Sequence, residues 1–115
     1  MTVAQQRIEQ LDKKTKQRLI ALFGTLEIFY EVFYLMMQNE HQLDVYRPEG
    51  WSAKLSSVQY YRRLATERLQ KECAIDADLL EDVYSDYFED FANYRERAPK
   101  ISNEDFLTVL KKLIV

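Results

Sequence analysis

The sequence predicts an all-α protein, a small bundle of four main helices around one long apolar helix. The apolar side chains between Leu19 and Met37 recur at steps of three and four, which is the period of a helix face. The 115 residues include only two glycines and two prolines, too few for the many turns of a β-fold. The hydrophobic content of 47% argues against a disordered chain.

The length is that of one domain, residues 1–115, with enough chain to bury a core. Residues 1–18 are expected to form a polar helical lead-in, anchored by Ile8 and Leu11, that either breaks from the next helix or projects as an arm. The early residues contain no apolar run of the kind a signal peptide needs. The single cysteine, Cys73, cannot form an internal disulfide, so a cytoplasmic protein is expected.

The central helix, residues 19–38, is apolar on more than one side and needs cover from other helices or from a second copy. It is as long as a membrane span, but Glu27 and Glu31 interrupt it. Each ionisable group in hydrocarbon costs about 2 to 3 kcal/mol, so a buried helix without a membrane is expected. The two glutamates are expected at the rim of the bundle, or paired with a basic residue of the second main helix or of the lead-in.

Gly24 lies inside this predicted helix, where glycine costs about 1 kcal/mol relative to alanine. Together with Ala21 and Thr25 it forms a patch of small residues that would admit a closely crossing helix. A kink at Gly24 is the alternative interpretation.

Three shorter amphipathic helices are predicted to follow. The second main helix spans residues 56–73, capped by Ser56 or Ser57, the third spans 78–95 and the last spans 103–114. The inner face predicted for the third consists of Leu80, Val83, Tyr84, Tyr87, Phe88, Phe91 and Tyr94.

Residues 39–54 show no clear period and are predicted to form a long loop. Long connections in small domains are often functional or held down by their own side chains. Packing of the loop on the bundle is one interpretation. The other is an exposed recognition edge formed by Tyr46, Arg47 and Trp51, since aromatic residues and arginine are favoured at binding hot spots.

The charged side chains occur in blocks. Between Glu72 and Tyr94 the chain has eight acidic side chains and no basic one, whereas residues 1–18 and 47–71 carry an excess of basic ones. Oppositely charged helices lying side by side would explain this, with each surface pair contributing about 0 to 1 kcal/mol. The alternative is an acidic surface that binds a partner. The acids predicted on the outer face of the third main helix are Glu81, Asp82, Asp86, Glu89 and Asp90.

Catalytic chemistry has little support in the sequence. Glu27 and Glu31 lie one helical turn apart, but a di-iron bundle also needs Glu-x-x-His motifs, and His41 is the only histidine. Cys73 has no histidine at a recognisable spacing, and two glycines cannot form a phosphate-binding or dinucleotide-binding loop. The sequence therefore predicts no enzyme, no cofactor and no metal site.

The function predicted is that of a protein-binding domain, of the adaptor, inhibitor, antitoxin or immunity type, whose acidic helix face binds a basic protein. One alternative is a small nucleic-acid-associated protein that uses basic residues of the second main helix and the lysines within residues 13–16. The net charge of -3 and the lack of a known motif argue against nucleic acid. Another alternative is a structural homo-oligomer, such as a homodimer, in which a second copy covers the central helix.

Overall fold

The computed structural model describes residues 1–45, 52–95, 97–98 and 100–114, with the backbone alone described at 43–45 and 52–58. These residues form six α-helices and no strand, which confirms the all-α prediction. The helices are α1 (Val3–Glu9), α2 (Lys13–Phe23), α3 (Leu26–Val45), α4 (Ser52–Cys73), α5 (Ala77–Ala92) and α6 (Asn103–Ile114).

Helix α3 lies at the centre of the bundle and packs against α2, α4, α5 and α6. Its nine consecutive residues 29–37 are each less than a tenth exposed. Because a helix turns through every direction within four residues, this run is covered on all sides by its own chain. In the homo-oligomer hypothesis a second copy covers the central helix. Residues 29–37 do not need a second copy, because the chain itself already buries them.

The predicted helix over residues 19–38 is interrupted at Gly24. Helix α2 ends there because Gly24 has a φ of 92°, a backbone angle that residues other than glycine rarely adopt. The Thr25 hydroxyl then accepts the Ile28 N–H and begins α3. No atom lies within 4 Å of the position that a Cβ at Gly24 would take. The interpretation as a kink was therefore correct, and the close helix crossing was wrong.

A second break divides the N-terminal lead-in. The Thr2 hydroxyl and the Gln5 side chain form a capping box that begins α1, and the Asp12 carboxylate accepts the Thr15 N–H to begin α2. Helix α1 packs along α5 and buries Ile8, so it lies on the bundle and does not project from it.

The connection after the central helix is shorter than the predicted loop of residues 39–54. Helix α3 continues to Val45 and α4 begins at Ser52, so most of this stretch is helical. The polar residues of this stretch gave no apolar periodicity from which to predict a helix. None of the residues 39–44 disfavours a helix strongly, however. Ser56 and Ser57 lie inside α4 and were wrongly predicted as its cap. Tyr46, Arg47 and Trp51, the predicted recognition edge, lie outside the described residues.

The last two helices follow the prediction more closely. Helix α6 has the predicted bounds, and the Ser102 hydroxyl accepts the Asp105 N–H at its start. Helix α5 ends at Ala92, three residues early, because the Arg95 N–H turns back to the carbonyl of Asp90 (2.7 Å).

Within the described ranges, no single helix is long and apolar enough to cross a membrane. Only α2 and α3 taken together reach that length and apolar content, and this pair is bent by 66°.

Replacing Gly24 by alanine should destabilise the protein by about 1 to 2 kcal/mol, because the left-handed φ strains any L side chain. Since the space around Gly24 is open, Gly24→Gln should cost about as much as Gly24→Ala. Urea unfolding measures both. A much larger loss for glutamine would mean that another segment does approach Gly24 closely.

Candidate partner-binding surface on α5

Most side chains of α5 form three stripes that differ in exposure. The buried stripe consists of Leu79, Leu80, Val83, Tyr84 and Tyr87. The half-buried stripe consists of Asp82, Asp86 and Asp90. The exposed stripe consists of Glu81, Ser85, Phe88, Glu89 and Ala92. The five acids predicted to share one outer face are therefore divided between the half-buried and the exposed stripes.

Two acids of the half-buried stripe bind tyrosines of α3. The Tyr30 hydroxyl donates to Asp86 and the Tyr34 hydroxyl donates to Asp90, each over 2.7 Å. Residue numbers rise together in the two pairs, so α3 and α5 run parallel at this contact. The two tyrosines are four residues apart on α3, and the two aspartates are four residues apart on α5. This matched spacing was the signal in the sequence that the outer-face prediction missed.

Burial raises the pKa of Tyr30 above its usual value of 10.0, and the hydrogen bond to Asp86 raises it further. Burial and Asp90 raise the pKa of Tyr34 in the same direction. Both phenols therefore keep their protons well above neutral pH and remain hydrogen-bond donors. Asp86 and Asp90 hold α5 in place, which leaves them less free than a solvated carboxylate to bind a partner.

The third acid of the half-buried stripe, Asp82, binds the N-terminal helix. Arg7 Nη1 donates to Asp82 Oδ2 over 2.5 Å, and this hydrogen bond raises the pKa of Arg7. Both side chains are about a third exposed, 37% for Arg7 and 33% for Asp82. Because water screens such an exposed pair, it positions α1 more than it stabilises the fold.

The exposed stripe presents an aromatic ring between carboxylates. Phe88 is 42% exposed, and its ring rests against His41, with the ring centroids 5.1 Å apart. His41 is itself fixed, because its Nδ1 lies 2.8 Å from the Tyr87 hydroxyl. Glu81 and Glu89 make no ion pair with any residue in the described part of the chain.

Phe88 was predicted on the inner face of this helix, and that prediction was wrong. Phe88 lies seven residues after Glu81 and three after Ser85, and this spacing places all three on one side of a helix. The inner position was predicted for Phe88 from its apolar side chain and not from its place in the helical period. Tyr94, also predicted inside, is 97% exposed because α5 ends before it.

The arginines of α4, which the nucleic-acid alternative requires, are largely engaged within the chain. Arg62 makes two hydrogen bonds to the Glu40 carboxylate, at 2.6 and 2.9 Å. Arg68 bonds Glu72 over 3.0 Å and also donates to the carbonyl of Lys112. A nucleic-acid phosphate would have to compete with these contacts.

Glu31 of α3 is 1% exposed and is paired with Arg97, beyond the end of α5. Its two oxygens accept from Arg97 over 2.8 and 2.6 Å, and the Lys100 N–H adds a contact of 3.3 Å. The predicted pairing partner, a basic residue of the second main helix or of the lead-in, was therefore wrong. Glu27 is exposed, as predicted, with its carboxylate 3.8 Å from the Lys100 ammonium.

The described residues contain no group of three or more His, Cys, Asp and Glu side chains arranged to hold a metal ion. Cys73 is buried, and burial raises the pKa of its thiol, which lowers the fraction present as reactive thiolate.

Comparison with protein-family models, with curated proteins and with solved structures gives no match to this chain. A function can therefore be proposed only from the surface chemistry of the molecule.

Removing the Tyr34 hydroxyl should destabilise the protein by about 1 to 2 kcal/mol, because Tyr34→Phe leaves half-buried Asp90 without its donor. Tyr84 supplies a matched control. Its hydroxyl is buried near Thr66 and Arg62 but makes no hydrogen bond of normal geometry with a described residue, and burial raises its pKa to about 12. Tyr84→Phe should therefore leave the free energy of unfolding unchanged or increase it. Equal losses in urea unfolding would contradict the bond between Tyr34 and Asp90.

Replacing Arg97 by leucine should cost about 3 kcal/mol of folding stability, because it strands the buried Glu31 carboxylate. Glu31→Gln in the same chain should restore part of that loss by removing the charge. Lys100→Leu is the control, since its exposed pair with Glu27 is worth less than about 1 kcal/mol. Thermal and urea unfolding would compare the variants, and a loss for Arg97→Leu no larger than the control would disprove the importance of the buried pair.

Proposed function

We propose that this protein is a non-enzymatic binding domain that recognises a basic protein surface through the exposed stripe of α5. The observation that carries the proposal is the arrangement of Phe88 between Glu81 and Glu89. The ring is held against His41 but 42% exposed, and no cation of the described chain pairs with the two carboxylates. We also propose a cytoplasmic location, which the free, buried Cys73 supports.

The electrostatics of α5 favour a basic partner. Between Ala77 and Ala92 there are six acidic residues and no basic one. Arg7 is the one described cation that pairs with any of them. A surface with charge of one sign steers an oppositely charged partner towards it and selects against acidic ones.

The packing of Phe88 supplies the apolar part of such an interface. Aromatic side chains contribute strongly when a partner buries them, and carboxylates at the rim fix orientation and association rate. Because His41 already restrains the Phe88 ring, binding would lose less side-chain entropy than it would with a freely rotating residue.

The half-buried acids have a supporting role in this proposal. Asp82, Asp86 and Asp90 add negative charge next to the exposed stripe, but their carboxylates already accept hydrogen bonds from α1 and α3. Reversing their charge would disturb the fold as well as the surface. Glu81 and Glu89 are the acids whose reversal tests binding alone.

Glu81→Lys with Glu89→Lys should abolish capture of a basic partner while leaving the unfolding temperature nearly unchanged, since neither glutamate pairs within the described chain. The test is affinity capture from the lysate of the native organism, with quantitative mass spectrometry of proteins held by the wild type. Glu9→Lys with Glu67→Lys is the matched control, because it changes the charge equally at exposed positions on α1 and α4.

The proposal expects a protein with a basic surface to be retained by the wild type and by this control, released by rising salt, and lost from the α5 variant. Capture of the same proteins in the same amounts by the α5 variant would refute a binding role for this stripe.

A further inference from the structure

A shallow hollow of about 530 Å³ lies between α2, α4 and α6. Its apolar part is formed by Ala21 and Leu22, and its rim by Arg68, Lys111 and Lys112. The donation from Arg68 to the carbonyl of Lys112 ties α4 to the end of α6 and fixes this rim. The lysine side chains are exposed and form no ion pair with a described residue.

The hollow is complementary to the exposed stripe of α5. The stripe offers an aromatic ring flanked by two carboxylates, and the hollow offers an apolar floor flanked by cations. A benzene ring fits a cavity of about 150 Å³, so the hollow has room for the ring of Phe88. Along the helix axis Glu81 lies about 10 Å before Phe88 and Glu89 about 1.5 Å after it, so Glu89 is beside an inserted ring and Glu81 is about two turns away.

Different helices form the two surfaces within one chain. Helix α5 packs with α1 and α3, whereas the hollow belongs to α2, α4 and α6. The structure shows no ion pair between the acids of α5 and Lys111 or Lys112. Arg68 in the rim of the hollow is already paired with Glu72, but Lys111 and Lys112 form no ion pair with a described residue, and neither do Glu81 and Glu89. Each molecule therefore presents both halves of a complementary contact.

We propose that the basic surface bound by α5 belongs to a second copy of this chain, with Phe88 of one copy seated in the α2–α4–α6 hollow of the next. This inference rests on the proposed function and names its partner. The contact joins two different surfaces, so it is head-to-tail: each bound copy leaves one stripe and one hollow open for a further copy. Because the contact is charged and at the surface, salt weakens it.

The test separates the two halves of the contact. The acidic-side variant carries Glu81→Lys and Glu89→Lys, and the basic-side variant carries Lys111→Glu and Lys112→Glu. Sedimentation velocity and light scattering, from micromolar to millimolar protein, should show wild-type mass rising with concentration. Each variant alone should associate at least about tenfold more weakly, equivalent to ~1.4 kcal/mol.

An equimolar mixture of the two variants gives the decisive result. The intact hollow of the first variant should accept the intact stripe of the second, so the mixture should associate more strongly than either variant alone. The two reversed surfaces are also opposite in charge, so this mixture can grow beyond a dimer. With Lys111→Gln and Lys112→Gln as the basic-side variant the remaining surfaces are not complementary, and that mixture should stop at a dimer. Lys111→Glu and Lys112→Glu oppose the helix dipole of α6, so Lys111→Gln with Lys112→Gln is the milder basic-side variant. Phe88→Ala separately removes the ring from the acidic side and should also weaken association. Circular dichroism and the unfolding temperature should match the wild type.

A wild type that stays monomeric throughout, or a mixture that fails to associate although the wild type does, would overturn the inference. The wild type could instead be monomeric and capture a basic protein that the variant Glu81→Lys with Glu89→Lys does not capture. That result would exclude the second copy as the partner and leave the proposed function standing. If the wild type self-associates and the α5 variant associates as strongly, another surface carries the contact and the inference fails.

Discussion

The burial of residues 29–37 on every side of α3 is the constraint on which the rest of the structure depends. Most of this run is apolar, and its burial drives the other helices onto α3. The run also carries a carboxylate, Glu31, into the core. Removing an ion from water costs several kcal/mol, which a good partner must offset. Arg97 supplies that partner and also lies over the ring of Tyr34, 4.2 Å from its centroid.

The same constraint decides how the acids of α5 are used. Tyr30 and Tyr34 lie in the buried run, and their hydroxyls need acceptors once the run is covered. Asp86 and Asp90 provide them, so these two carboxylates are held at the edge of the α3 contact. The exposed stripe is what remains after the core has been satisfied. Its isolation from internal cations is a consequence of where Arg97 and the arginines of α4 are engaged.

Local sequence patterns predicted much of this molecule, since apolar periodicity depends on neighbouring residues only. The bounds of α6 and the burial of the central helix on more than one side followed from it. The break at Gly24 was harder, because one glycine fits a helix crossing and a helix end equally well until its φ is known. The partner of Glu31 lies 66 residues away, and no local pattern predicts such a pair.

The candidate binding surface was predicted in part, for the same physical reason. Counting acids drew attention to α5, but the division into stripes depends on which neighbour covers which side. Phe88 could have been placed outside by its spacing from Glu81 alone. The hollow could not have been found in this way, because its residues come from three helices that are far apart in the sequence.

The long separation between Glu31 and Arg97 has a consequence for how the chain folds as it is synthesised. The apolar segment of α3 leaves the ribosome before its partners do, because the acceptors on α5 follow 56 residues later and the neutralising guanidinium of Arg97 follows 66 residues after Glu31. The core can therefore close only after α5 and Arg97 have been synthesised. Until then the apolar segment of α3, with the Glu31 carboxylate, is exposed to chaperones and to misassembly.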